Sequence, residues 1–319
     1  MIFKFVILLI KLSAAFSVFS ILPPWVWLLE VNANFGAYHL GLHILSLLWL
    51  FGAAQSIGAK CSKLLVLVLV LLSIWQAIPV VPFYLPDSKP SSNSAGASQQ
   101  LSLLYANLET KRGNPELFKR IIAEHDPDIL ALLELSAHWD AALALDSSYP
   151  HTIKVLRDDN YGIGVYSKLP LSGEGERTID LGSGLPPIIR TAIILDTGKT
   201  FKFTLVHAMP PRSDQALVLN YLLLRRIASS IRTENETELL VGDLNATPFS
   251  RYYKRFVEWT SLQNAMHGRG LLRTWNAHNP IFRMMIDHVF STGEVRISGV
   301  NRLGRFGSDH FPLLIDFEI

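Results

Sequence analysis

Leu239-Leu240-Val241-Gly242-Asp243-Leu244-Asn245 decides the fold of this chain. Three apolar residues followed by a glycine, a carboxylate and an amide read as a buried strand that reaches the rim of a sheet. A short, continuously apolar strand belongs to a sheet covered on both faces, which points to α/β architecture. Asp243 and Asn245 flank Leu244, so in extended backbone both side chains point to the same side.

The same arrangement recurs five times. Asn107 follows Leu103-Leu104-Tyr105-Ala106, Glu134 follows Ile129-Leu130-Ala131-Leu132-Leu133, and His207 follows Phe203-Thr204-Leu205-Val206. Asp287 precedes His288-Val289-Phe290, and Gly307-Ser308-Asp309-His310 precedes Phe311-Pro312-Leu313-Leu314-Ile315. A carboxylate at the end of an apolar strand is costly unless something partners it. Hard oxygen donors and imidazoles gathered from separate strand ends suit a divalent cation such as Mg²⁺, which takes few carboxylates and keeps several waters. The expected centre is that of a metal-dependent phosphoester hydrolase.

Strand-like and helix-like segments alternate between these points. Strands are expected at 101–106, 129–133, 151–156, 162–167, 188–195, 201–206, 239–241, 285–290, 295–297 and 313–317. Helices are expected from Asn114-Pro115 to His125, from the Ser136 cap to about 145, from Ser213 to 232, and onward from Thr247-Pro248.

The first 85 residues have a different composition. Three apolar stretches, at 5–29, 35–59 and 64–85, each approach the ~20 residues that a bilayer core requires. Pro23-Pro24 ends or kinks the first, and Trp25 and Trp27 suit an interface. Residues 86–100 are small and polar and read as a flexible tether. The expected organisation is a membrane anchor of about three transmembrane helices (1–85), a linker (86–100) and a catalytic domain (101–319). Lys4 precedes the first stretch and Lys60 and Lys63 separate the second from the third, whereas the loop between the first and second carries Glu30 and no Lys or Arg. The positive-inside bias then predicts a multi-pass protein of the inner (plasma) membrane with an extracytoplasmic catalytic domain.

Charge and cysteine usage narrow the chemistry. Beyond Gln99 lie 24 of the 29 basic residues and 25 of the 27 acidic ones, so the catalytic part has no bulk attraction for a polyanion. Cys61 is the single cysteine, which excludes an internal disulfide and a thiolate metal site.

From about Leu101 to Ile319 the chain resembles the endonuclease/exonuclease/phosphatase superfamily, on the ordered set Asn107, Glu134, His207, Gly242-Asp243-Leu244-Asn245, Asp287 and Ser308-Asp309-His310. The resemblance implies a DNase I-like, four-layer α/β sandwich of two sheets. It implies Glu134 as principal metal ligand with Asn107 beside it and Asp309 near the metal, which is Mg²⁺ with Mn²⁺ as a substitute. It assigns the attacking water to Asp243, a phosphate contact to Asn245, and transition-state stabilisation to His310 paired with Asp287. His207 matches a second imidazole of DNase I-like members and phosphatases, where abasic endonucleases carry Tyr. On the substrate side Arg190, Tyr161 (with Asn160) and Trp275 are candidates, while His288 should face the opposite side of its strand. The implied partner is a phosphoester substrate, either nucleic acid or a phospholipid headgroup, with no obligate protein partner. A catalytically inactive membrane-bound binding protein is the reading from a different class, and no required position is lost to favour it.

Overall fold

Side chains alternate between two hydrophobic layers along the first strand of the catalytic part, β1 (Gln100–Asn107). Leu103 and Tyr105 enter one buried layer and Leu104 and Ala106 another, as a strand covered on both faces requires. In this computed structural model, residues 2–22, 26–57, 62–85, 99–172, 185–231 and 236–319 are described.

The chain continues through α5 (Pro115–His125), β2 (Ile129–Leu133), α6 (Ala137–Leu143), β3 (His151–Val155), β4 (Ile163–Ser167), β5 (Ile189–Ile194), β6 (Thr200–His207), α7 (Asp214–Ile231), β7 (Glu238–Asp243), α8 (Arg251–Thr260), β8 (Gln263–Asn264), β9 (Asp287–Ser291), β10 (Arg296–Arg302) and β11 (Leu313–Glu318). One sheet has the order β10-β11-β1-β2-β4-β3 and the other β5-β6-β7-β9-β8. Leu103, Ala131, Val165, Phe203, Val241 and Val289 fill the layer between the sheets. Phe118, Trp139 and Phe306 back the first sheet, and Leu224, Ile227 and Phe256 back the second. The result is the expected two-sheet α/β sandwich with helices on its outer faces.

Local chemistry sets the helix ends. Asn114 accepts from the amides of Glu116 and Leu117 with Pro115 at the first helical position, and the Ser136 hydroxyl caps α6. One expectation is corrected: Thr247-Pro248 does not open a helix. Helix α8 starts at Arg251, where the Ser250 hydroxyl accepts from the Tyr253 amide. The Thr247 amide is taken instead by Asn34, 213 residues earlier.

The N-terminal part forms α1 (Ile2–Phe19), α2 (Trp27–Asn34), α3 (Gly36–Ile57), α4 (Lys63–Ala77) and a 3₁₀ turn at Val81–Phe83. The expected span 5–29 is therefore not one helix, since α1 ends at Phe19 and Trp27–Leu29 belong to α2. Among the described residues one helix is long and apolar enough to cross a membrane, over Gly36–Ser56, and α4 is a shorter apolar helix. Helices α1, α3 and α4 pack on one another through Ile10, Ala14, Leu50, Leu69 and Leu72, while Phe5, Leu8, Leu45, Leu48, Phe51 and Leu64 face outward.

These helices dock on the catalytic part. Phe83 is buried in the inter-sheet core, and the amides of Gly268 and Gly270 donate to the carbonyls of Pro82 (3.0 Å) and Phe83 (2.6 Å). A Cβ on Gly36 would lie 2.1 Å from the Phe249 ring, so the start of α3 sits directly against that residue. Most of the expected linker, 86–98, lies outside the described residues. Gln99 and Gln100 are already part of the sheet through Ile319 and Glu318.

Candidate active site

Register builds the site. His207 on β6 pairs with Asp243 on β7, which pairs in turn with Asp287 on β9, so three polar residues stand in a row across the second sheet. A Cβ on Gly242 would fall 2.0 Å from the Val206 carbonyl oxygen, so only glycine lets β6 and β7 approach here. In the first sheet Asn107 pairs with Leu133, which brings Glu134 beside Asn107 at the adjoining rim. Ser308 ties the last loop to this rim by donating to the Asn107 carbonyl (2.7 Å), and it holds the His310 amide (2.9 Å).

His310 Nδ1 donates to Asp287 Oδ2 at 2.9 Å, with both side chains buried. Burial works against an imidazolium, but Asp287, then Asp243 and Asp309, outweigh it and push His310 up to about 10. Burial would likewise raise Asp287, but the His310 cation holds it below the usual carboxylate range. Asp243 lies 3.9 Å from the Nε2 atoms of both His310 and His207. Burial, reinforced by the Asp287 charge, raises it well above an ordinary carboxylic acid, which makes it a stronger proton acceptor. His207 is pulled down to about 4 by burial and by the neighbouring His310 cation, so it is neutral at pH 7. Two imidazoles thus play opposite electrostatic parts around one carboxylate.

Four residues lining the cleft have left-handed backbone despite carrying side chains: Glu109 (φ 52), Glu134 (φ 58), Asn160 (φ 69) and Asn245 (φ 48). Such conformations cost on the order of 1–3 kcal/mol and persist where surrounding structure enforces them. The Asn245 amide donates to Asp243 Oδ1 (2.6 Å) and its side-chain Nδ2 to the Ala208 carbonyl (2.8 Å), which fixes both residues of the Asp-Leu-Asn turn.

The donor set around Glu134 fits a hard divalent cation. Burial raises the Glu134 carboxyl, with only the Thr110 amide, the Asn107 side chain and the more distant His310 charge to offset it. No Lys or Arg among the described residues pairs with it, so a buried carboxylate lacks the cation it needs. Asp309 lies on the same rim, held by the Trp275 indole N–H (2.8 Å), and Asn107 stands beside Glu134 with its side-chain oxygen accepting from the Glu109 amide (3.1 Å). Asp243, Asp287 and His310 also bring ligand-type atoms within 4.8 Å of one another. That trio is a hydrogen-bonded unit rather than a metal cage: Asp287 already binds His310 and the Tyr105 hydroxyl, and His310 keeps its Nδ1 proton.

Glu134, His207, Asp243, Asn245, Asp309 and His310 line one cleft of about 740 Å³ together with Asn160, Tyr161 and Trp275. The Tyr161 ring lies 5.3 Å from that of His207. Arg190 is not brought into the cleft. Its guanidinium turns to the start of β7, where Glu238 binds it at 2.9 Å, and the exposed Glu236 adds a longer contact. His288 faces the helical side and bonds the Ala246 carbonyl. Sequence reasoning missed Tyr105, whose buried hydroxyl donates to Asp287 at 2.5 Å, although it is the one polar-tipped residue in the run Leu103–Ala106. It also missed Lys111, Arg112 and Arg212 on the cleft wall, and the contribution of Trp27, Val31, Asn34 and Phe35 from the N-terminal helices.

The sequence model of the endonuclease/exonuclease/phosphatase family matches residues 104–310. No curated protein matches the chain in sequence. Among solved structures, an endonuclease/exonuclease/phosphatase from Beutenbergia cavernae superposes with a TM-score of 0.57 at 18% identity, over 69% of this chain and 72% of its own. D. rerio TDP2, complexed with a single-strand DNA product, gives 0.57 at 16% identity over 69% and 99%. Sphingomyelinase C from Streptomyces griseocarneus gives 0.51 at 19% identity over 68% and 99%. At these identities the structural likeness speaks for the fold alone.

Proposed function

Because the chain belongs to the endonuclease/exonuclease/phosphatase family, whose members hydrolyse phosphoester bonds, we propose that it is a Mg²⁺-dependent phosphoester hydrolase of the phosphodiesterase or nuclease type, held in the membrane by its N-terminal helices. The row His207–Asp243–Asp287, with His310 bonded to its last member and Glu134 on the facing rim, carries this reading. Glu134, Asn107 and Asp309 would hold the cation. When bound, Mg²⁺ supplies positive charge to the phosphoryl oxygens, and Mn²⁺ is expected to substitute.

Asp243 accepts a proton from the attacking water as its oxygen bonds to phosphorus. The P–O bond to the leaving alcohol breaks, and that oxygen takes a proton from solvent. His310 remains cationic through the cycle and stabilises charge that grows on the phosphoryl group. Asn245, fixed by its bond to Ala208, orients a phosphate oxygen. Neutral His207 offers a hydrogen bond without adding charge.

The apolar outer faces of α1, α3 and α4 support membrane insertion, since a patch of that size is not stable against water. Gly36 at the start of α3 sits against Phe249, the Ile21 carbonyl after α1 accepts from Arg251, and Phe83 after α4 enters the inter-sheet core. This arrangement would suit three crossings, and the Lys distribution favours an extracytoplasmic domain.

The test is hydrolysis of bis-p-nitrophenyl phosphate by the full chain in detergent. Turnover that EDTA removes and added Mg²⁺ restores supports the reading. Turnover indifferent to EDTA removes the metal role, and none under any divalent ion favours an inactive binding protein.

A further inference from the structure

The cleft has two kinds of wall. One is the polar rim of strand ends, with Lys111, Arg112 and Arg212 beside it. The other is apolar, and its Trp27, Val31 and Phe35 come from the N-terminal segment, facing the same space as Met284 and Ile286. A molecule that fits both walls has an anionic phosphoryl end and a hydrocarbon end.

This second wall is built in. Asn34 accepts from the Thr247 amide (2.6 Å) and Asp214 accepts from the Trp27 amide (2.8 Å), while Ser250 bonds Glu30. Helix α2 is thereby fastened to the start of α7 and to the loop that follows Asp243-Leu244-Asn245, at a fixed position relative to the reacting groups. It also lies between the domain-side ends of α1 and α3, at the level where lipid headgroups would be. A second apolar feature stands at that level. Ile281 and Phe282 are 68% and 52% exposed at the tip of the loop preceding β9. The Tyr38 hydroxyl, near the start of α3, donates to the carbonyls of Ile281 (2.9 Å) and Arg283 (2.7 Å), and its ring lies 5.8 Å from that of Phe282. An exposed apolar tip held against a membrane-crossing helix is stable when it dips into the bilayer surface, and Tyr is the residue suited to that boundary.

We propose that α2 is part of the substrate site, and that the cleft takes the phosphoester of a membrane lipid from the bilayer, with the lipid's hydrocarbon side against Trp27, Val31 and Phe35. The inference rests on the hydrolase reading and on membrane insertion of α1, α3 and α4. It accounts for a catalytic domain whose charge gives no bulk attraction for nucleic acid, and for an anchor that shares the cleft rather than only tethering it.

The experiment uses the full chain reconstituted in vesicles of phosphatidylethanolamine, phosphatidylglycerol and cardiolipin, with Mg²⁺. Water-soluble phosphorus released from lipid is compared with turnover of bis-p-nitrophenyl phosphate and of a short single-stranded oligonucleotide. Wild type should release lipid phosphorus. Val31→Asp, which puts a charge on the apolar wall, should lower lipid turnover at least about tenfold more than turnover of the soluble diester. The exposed double variant Ile281→Ser/Phe282→Ser, which keeps the Tyr38 hydrogen bonds to the backbone and removes only its ring contact with Phe282, should raise the apparent KM for vesicles. Cleavage of the soluble diester without lipid release, better cleavage of the oligonucleotide than of lipid, or equal losses on lipid and diester in both variants would overturn the proposal while leaving the hydrolase reading standing. If wild type cleaves none of the three with Mg²⁺, the hydrolase reading itself falls.

Discussion

Tyr105 on β1 of one sheet donates a 2.5 Å hydrogen bond to Asp287 on β9 of the other, and Asp287 in turn holds His310. The sheets are therefore joined at the catalytic rim by a buried hydroxyl–carboxylate–imidazolium chain. Burial and the Asp287 charge both raise the Tyr105 phenol, so it stays protonated and remains a donor. Tyr105→Phe removes one bond to a buried charge, a group worth about 1.5–3 kcal/mol. We expect kcat on a soluble diester to fall by about tenfold or more with KM little changed, because Asp287 then orients His310 less firmly. Unchanged kcat would show that the link is only structural.

His310 and Asp287 should behave as one unit. His310→Ala and Asp287→Ala are each expected to lower kcat, and the double variant should lose little more than the worse single one. A double-mutant cycle with additive losses would remove the pairing from the mechanism.

The pair also sets a pH dependence. His310 is pushed up to about 10, so the imidazolium is present at all pH values below that and is lost as pH rises through it. Activity that depends on His310 should therefore show no falling limb near about 6.5, the ordinary histidine value. In Asp287→Asn the main group that outweighs burial is gone, and His310 should deprotonate at far lower pH. A kcat–pH profile of that variant should fall as pH rises through neutrality, whereas an unchanged alkaline limb would contradict the assignment.

Docking of the N-terminal part is testable through stability. Phe83→Ala removes a fully buried ring from the inter-sheet core and should cost about 3–5 kcal/mol. Thermal unfolding of the full chain in detergent should show a lowered Tm for the catalytic part. An unaltered Tm would mean that Phe83 does not contribute to that core.

The sandwich and much of the rim were legible because buried strands end abruptly at polar residues: Val241-Gly242-Asp243 and the run into Glu134 need no long-range information. Arg190 misled because a basic residue in an apolar strand suits a phosphate as well as a carboxylate, and Glu238 is 48 residues away. Trp27–Leu29 read as the end of a membrane span, since hydropathy does not register a contact such as Asn34 with Thr247. Tyr105 stayed hidden because its hydroxyl matters only once the two sheets face each other.

The central claim is that Glu134 holds the catalytic cation. The direct measurement is turnover of bis-p-nitrophenyl phosphate by full-length wild type and Glu134→Gln across a Mg²⁺ titration, with Mn²⁺ binding followed in parallel by electron paramagnetic resonance. The variant should keep the wild-type Tm, lose high-affinity Mn²⁺ binding, and stay at least about 10²-fold below wild-type turnover at every Mg²⁺ concentration. Near-wild-type turnover with Mn²⁺ still bound would contradict the account.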